Sequence, residues 1–575
     1  MVNVKGLSER IRGQPYATLS LCAFGVAAYL CLVNLDYAGL WHDEGVVSFI
    51  GKNLLEQGDI VGWDGRNLVG GTNGNALNED LRDVAPPVQY FLTAMGFAIF
   101  GVNETGARVL HALAGILALG FFYLILRQQL SDNPRLVFFI FIFSAWSAQL
   151  LLYFRQARYY SIVVLCLMAG FYFYERYWQT KKPVCLAVVT LISALAFFSH
   201  YAGGTAMMLS LAAYHLIFRW RETAKREWVT FGCCGIAVGA LGSAYLMFIG
   251  LIGGGRDTMA SFRTADFGEY QGVVPLFLLK IWICVRDLFA ADWISWAVLL
   301  WFMVFLVYRK SVMRSRRRSG RRKRTEARGD DLPVIAVGKI VLLGALFALF
   351  AALLTQQPVW LSGVVLDFRY YVAALPLLLT MKGLFAEWVW RKSRIASGAV
   401  VAVLLFTSAG AAPFNITMAF TGERTLGVHF FSFIREIHRP YPDAIQGASD
   451  YLLQHAQQDD HVYIPGFADR EVLTFYTGHR VLFCGVLKEN SPLPRARIEA
   501  LRKSLYTGQC NPDWIAVFGP LSGEYWNNIK AHYAVATVLD VHYYPTQRPE
   551  IPWHAFEPLP ARGGVHIFRR KSTDP

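Results

Sequence analysis

Two adjacent carboxylates, Asp43 and Glu44, stand in the stretch YAGLWHDEGVVSFIGKNLLEQG, directly after a long apolar run. A carboxylate there could deprotonate an acceptor hydroxyl or hold a cation against a phosphate. It could equally be local architecture, with Asp43 capping a helix and Glu44 complementing its dipole. Phosphate calls for guanidinium, which grips it through parallel hydrogen bonds. Arg158 in RQARYY, with Arg155 beside it, and Arg369 in FRYYVAAL lie at the ends of later apolar runs. Such arginines either bind phosphate or reach for lipid headgroups. Tyr90, Tyr159 and Tyr370 could stack on a sugar, as could Tyr160 and Tyr371, although tyrosines also form the ordinary aromatic belt of membrane proteins. His42 adjoins the acidic pair, while His200 and Tyr201 close a later run at the same depth, and these three, with Gln156, could contact the substrate.

The elements that must position these residues are mostly membrane spans. The chain has 575 residues, of which 54% are hydrophobic and 17% charged, with mean hydropathy +0.34. Apolar runs of about twenty residues, long enough to cross a bilayer, recur along it. The first, roughly 15–35, follows Lys5, Arg10 and Arg12, so its start belongs in the cytoplasm and it reads as an uncleaved, outward-running anchor. Ten further spans are expected near 106–127, 134–152, 160–178, 184–199, 203–220, 229–252, 292–309, 333–354, 370–389 and 395–412. The loops this order places inside (LRQQLSDNPR, RYWQTKK, RWRETAKREW, the Arg309–Arg324 run and WRKSR) are all basic. The first outer loop, 36–105, carries nine acidic residues up to Pro87 against Lys52, Arg66 and Arg82. The net charge of +14 does not indicate nucleic acid, because ten Lys and Arg residues sit in the Arg309–Arg324 run with no folded module around them.

Pro86–Gly101 and Val273–Phe289 are too short or too charged to span and are expected to lie at the interface. After Asp43-Glu44, Val46, Val47, Phe49, Ile50, Leu54 and Leu55 recur at helical spacing, which predicts an amphipathic helix on the outer membrane face. The loop Gly253–Gly272 is glycine-rich at its start and is either a lid or a plain connector. Beyond about residue 413, HVYIPG, RVLFCG, DWIAVFG and VHIFRRK are short β-prone runs, and PDAIQGASDYLLQHAQQ and PLPRARIEALRKSLYTG are helical stretches beside them. The expected architecture is an all-α polytopic membrane protein of about eleven spans plus interfacial helices (1–412), followed by an extracytoplasmic α/β domain (413–575). Seven cysteines lie in apolar stretches; Cys484 and Cys510 of the tail could pair if the tail is outside.

The order of these features resembles the GT-C superfamily of membrane glycosyltransferases, near the protein mannosyltransferases and the lipid A aminoarabinose transferases. The resemblance is carried by the anchor, the Asp-Glu pair, PPVQYF, FGVNETGARVLHALAGIL, LLYFRQARYYSIVVL, FFSHYAG and FRYYVAALPLLL, across most of 15–390. It implies transfer of a sugar from a polyprenyl-phosphate carrier to an acceptor at the extracytoplasmic face of the plasma (inner) membrane, usually with inversion. Asp43 matches the family base and Glu44 would assist it; Arg158, Arg155 and Arg369 would hold the donor phosphate. Gln156 stands where many relatives carry an acidic residue, and an amide is a poor ligand for a divalent metal, so no metal site is assigned. Ala85 stands where the aminoarabinose transferases have a lysine, which Arg82 could replace. The acceptor could be lipid A, a glycan, a glycolipid or a protein hydroxyl. A lipid-linked sugar transporter or flippase is the alternative, but it would call for matched broken spans or a mid-helix acidic relay, and neither is evident. A scaffold serving the outer domain would leave the acidic first loop unexplained.

Overall fold

The computed structural model describes residues 15–70, 77–78, 80–250, 273–304, 334–354, 368–407, 429–439, 444–465, 470–484, 505–506, 512–519, 521, 523–541, 554 and 564–571. The glycine-rich loop from Gly253, the Arg309–Arg324 run, Cys510 and most of PLPRARIEALRKSLYTG lie outside the described residues, as does the side chain of Cys484.

The first helix, α1 (Pro15–Leu32), turns Leu19, Leu21, Val26 and Tyr29 outward and buries the small residues Ala23 and Ala27. The alanines allow close approach to the bundle, and Trp146 Nε1 donates to the Ala23 carbonyl at 3.1 Å. Next come α2 (His42–Gln57), α3 (Val88–Phe100), α4 (Glu104–Gln129), α5 (Pro134–Ala145), α6 (Ala148–Phe154) and α7 (Tyr160–Thr180). Pairs follow as α8 (Pro183–Ser199) with α9 (Tyr201–Phe218), then α10 (Lys225–Phe248) and α11 (Val273–Ala291). The membrane portion closes with α12 (Trp293–Val304), α13 (Val334–Leu354), α14 (Leu375–Trp390) and α15 (Arg394–Phe406). One continuous apolar core runs from Ala23 of α1 through α4–α7 to Leu384 of α14. Gly383 is needed there, since a Cβ would meet the Ile140 backbone at 2.5 Å.

Six described helices are long and apolar enough to cross a membrane, or eight if two bent pairs each make one span. Helices α8 and α15, both expected to span, are apolar helices of 17 and 13 residues. Helix α3 has 13 residues, and the apolar pieces within α11 and α12 meet at 106°. The expectation for α2 needs correction. Its apolar face does not look out to lipid: Val47, Phe49 and Ile50 are buried in a cluster with Val69 and Tyr90. Periodicity predicts a buried face without specifying what covers it.

The tail contains α16 (His429–His438), α17 (Ala444–His455), α18 (Arg470–Thr477) and α19 (Gly523–Ile529) beside a six-stranded sheet. Its strands are β1 (His461–Ile464), β2 (Arg480–Cys484), β3 (Leu505–Tyr506), β4 (Trp514–Phe518), β5 (Tyr533–Leu539) and β6 (Val565–Arg570), in spatial order β3-β2-β1-β4-β6-β5. β3, β2, β1 and β4 run parallel, and β6 and β5 close the edge antiparallel. Val462, Ile464, Trp514, Ala516 and Ile567 form its core with Ala448 and Leu452 of α17.

The tail is docked on the helices. Val472 and Phe475 of α18 pack with Leu40, Phe97, Ala107 and Ala157. Gly45 permits this approach, because a Cβ there would lie 2.6 Å from Val472 Cγ2. Tyr476 donates to Glu104 at 2.7 Å and accepts from the Leu40 N–H at 2.8 Å.

Candidate active site

Five segments at the ends of helices deliver the site. They are the start of α2, the loop before α3, the α6–α7 turn, the α8–α9 turn and the 3-10 turn Phe368–Tyr370. Asp43 is the second residue of α2, and Trp41 is its N-cap residue, without a side-chain cap bond. The capping role open to Asp43 from sequence is therefore not the one it fills. Its Oδ2 accepts from Arg158 Nη2 at 3.1 Å and from Arg369 Nη1 at 2.9 Å. All three side chains keep partial contact with solvent, at 16%, 16% and 20% exposure respectively.

Arg158 is held from behind. His111 Nδ1 donates to the Arg158 carbonyl at 2.9 Å, and Thr93 Oγ1 lies 3.1 Å from its Nε2. Arg158 lies over the Tyr159 ring and Arg369 over Tyr370. His200 stacks on Tyr159 at 4.1 Å with an 8° interplanar angle, and Tyr370 lies at 5.9 Å from His200. Arg158, Arg369, Tyr159, His200 and Tyr370, expected from sequence as a phosphate and sugar set, are thus brought together around Asp43. His200 Nδ1 accepts from the Gly203 N–H at 2.9 Å. Burial, followed by Arg158 and Arg369, pushes this imidazole down to about 3, so it is neutral.

Other expected residues stand elsewhere. Glu44, only 1% exposed, is forked by Arg108, with Nε to Oε1 at 2.9 Å and Nη2 to Oε2 at 2.6 Å. The Ala157 N–H takes Oε1 at 2.8 Å and the Trp41 N–H lies 3.4 Å from Oε2. Glu44 therefore orients the first turn of α2 rather than facing a substrate. Arg155, expected at the phosphate, is spent on the carbonyls of Leu30, Val33 and Asn34 at 2.7–2.8 Å, where it caps the end of α1. Arg82 pairs with Asp59 at 2.8 Å in the first loop. Both corrections have one physical cause: a nearby acceptor, backbone carbonyls for Arg155 and the partly exposed Asp59 carboxylate for Arg82, captures a cation that sequence leaves open. Tyr90 is 1% exposed and packs in the α2–α3 core, so it offers no stacking face. Tyr201 donates to the Val84 carbonyl at 3.1 Å. Gln156 is buried, lining a small polar cavity with Glu44, Arg108, Arg155, Glu436 and His554. His42 stands 3.3 Å from Glu471 of α18.

Two carboxylates were not singled out from sequence. Asp83, 4% exposed, accepts from the Ala85 N–H at 2.7 Å and from Tyr90. Burial pushes it up to about 6, against those bonds and the field of Arg158. Glu471 is buried, which alone would raise it, but Arg470 and His42 outweigh burial and hold it low. Among the described residues, the acidic pair does not fit a divalent cation, since Glu44 is occupied by Arg108 and Asp43 faces two guanidinium groups.

Comparison with known proteins agrees with the GT-C resemblance. Residues 84–243 match the family model of dolichyl-phosphate-mannose-protein mannosyltransferases. The chain shares the fold of ArnT from Cupriavidus metallidurans: the apo structure matches with TM-score 0.52 at 14% identity, covering 97% of this chain and 98% of that one. The same protein bound to undecaprenyl phosphate gives 0.51 at 15% identity, covering 96% and 98%. An uncharacterized protein of Aquifex aeolicus is 26% identical over 195 residues, 33% of this chain and 36% of that protein. That match spans little more than a third of the relative's length.

Proposed function

We propose that this protein is an integral membrane glycosyltransferase that moves a hexosyl or pentosyl unit from a polyprenyl-phosphate carrier to an acceptor hydroxyl. The observation that carries the reading is the pair of arginines meeting one partly exposed carboxylate beside stacked aromatic rings, on a helical membrane fold shared with ArnT. ArnT's capture with undecaprenyl phosphate supports a carrier of that chemistry here. Arg158 and Arg369 bind the carrier phosphate, and the half-buried His200 and Tyr370, backed by the buried Tyr159, offer faces for the sugar. Asp43 takes the acceptor's proton as the acceptor oxygen bonds to the anomeric carbon, and the carbon–phosphate oxygen bond breaks with its electron pair leaving on phosphate. Glu44 and Arg108 hold the turn that carries Asp43.

The charge pattern of the loops supports eleven spans in the inner membrane and an extracytoplasmic site and tail, with the domains dividing near residues 412 and 413. The acceptor is a glycan, a lipid or a protein hydroxyl. The test incubates purified protein with a panel of radiolabelled polyprenyl-phosphate sugars and membrane extract. A labelled acceptor that disappears with Asp43→Asn is expected; donors left intact across a broad panel would overturn the reading.

A further inference from the structure

Asp43 and Glu44 are neighbours on one helical turn, yet they are held very differently. Glu44 is sealed against Arg108, at 1% and 5% side-chain exposure, with the guanidinium also spent on the carbonyls of Leu35, Ala38 and Gly39. That pair cannot open without leaving two buried charges. The arginines on Asp43 are different. Both side chains keep partial exposure, Arg158 is anchored through its carbonyl by His111, and the two guanidinium groups meet on one oxygen, Oδ2. Arg158 Nε is buried and has no hydrogen-bond partner among the described residues, so this side chain has donor capacity left.

Two guanidinium groups on Oδ2 stabilise the ionised carboxylate as a whole, which makes it a weaker base toward a hydroxyl proton at either oxygen. The groups restraining it are the groups that would bind the carrier. We propose that Asp43 is latched in the resting protein, and that an arriving lipid-borne phosphate releases it by taking Arg158 and Arg369. This rests on the function proposed above and adds an order to it: donor first, acceptor second. The charges balance at each stage. The carrier's phosphodiester brings one negative charge to two guanidinium groups that share one carboxylate. During transfer the acceptor's proton moves to Asp43 and the leaving phosphate becomes a monoester, gaining charge while the carboxylate loses its own. The arginines are then held most tightly by the phosphate at the moment the base is needed. When the phosphate product departs and Asp43 gives up its proton, the latch closes again.

Competition for the same guanidinium groups makes a measurable demand. Removing the carboxylate should tighten binding of the carrier, because the phosphate no longer has to displace it. The probe is undecaprenyl phosphate without a sugar, titrated into the full chain in micelles, with inorganic phosphate at equal concentration as a second arm. Asp43→Asn, with Asp43→Ala to remove any bond from the amide oxygen, is expected to bind at least tenfold more tightly than the unaltered protein. Arg369→Gln and Arg158→Gln are expected to bind at least tenfold more weakly. Equal or weaker binding by both Asp43 variants, with the arginine variants still impaired, overturns the latch and leaves the phosphate site standing. Unchanged affinity in the arginine variants overturns the phosphate site itself. Inorganic phosphate binding the unaltered protein as tightly as undecaprenyl phosphate does would overturn the lipid-borne ligand.

Discussion

Replacing Glu44 by glutamine separates the two members of the acidic pair. Glu44 accepts three hydrogen bonds of 2.9 Å or less, two from Arg108 and one from the Ala157 N–H. The amide would keep one acceptor oxygen and turn two donor hydrogens toward a guanidinium. Arg108 would then be a buried charge without its counterion, a change that costs roughly 3–5 kcal/mol when one partner of a buried pair is removed. Three carbonyls still receive Arg108, and they spread part of its charge. The loss expected for Glu44→Gln is therefore at the lower end, about 3 kcal/mol. Denaturant unfolding in micelles measures it, and a cycle with Arg108→Met isolates the coupling between the partners. In the fraction that remains folded, residual turnover is expected, whereas Asp43→Asn should unfold normally and turn over nothing. Stability within about 0.5 kcal/mol of the unaltered protein, the range of an ordinary surface change, would refute the structural assignment of Glu44.

Asp83 is lifted to about 6, so its neutral form favours the fold. That contribution is complete below the ordinary carboxyl value of about 4 and is lost as pH rises through 6. Asp83→Asn should flatten the fall in thermal stability across that window, and parallel pH profiles would contradict the assignment. Gly45→Ala places a methyl group 2.6 Å from Val472 Cγ2, costing about 1–3 kcal/mol and loosening α18. Limited proteolysis should then cut the tail faster, and an unchanged digestion pattern would count against tight docking. Arg155→Met removes three bonds from the end of α1 and should lower stability while leaving undecaprenyl-phosphate affinity unchanged in the folded fraction. A large loss of affinity there would return Arg155 to the phosphate site.

Much of the site is legible in the sequence because charge is scarce in an apolar chain. Asp43, Arg158 and Arg369 stand out as charges at the ends of apolar runs, and the structure brings them within 3.1 Å. Arg108 shows why the rest is harder. It is a single charge inside ARVLHALAGIL, and its partner lies 64 residues away, a distance along the chain that no local pattern encodes. Asp83 sits in a loop without periodicity, and only the fold reveals that it is buried. In the tail, β1, β2, β4 and β6 carry runs of β-branched and aromatic residues that mark them. YAVATVL, which forms β5, has a largely exposed outer part, and β3 is only two residues long, too short for any pattern.

Residues 30–39, where α1 gives way to the acidic pair, are stitched down by two guanidinium groups that together take six of their carbonyls. Those arginines come from α4 and the end of α6, so the depth of Asp43 is referenced to the protein interior and not to the surrounding lipid. Because Ala23 and Ala27 also pack α1 into the core, a thinner or thicker bilayer is expected to tilt α1 together with its neighbours, and the carboxylate keeps its place against the two arginines.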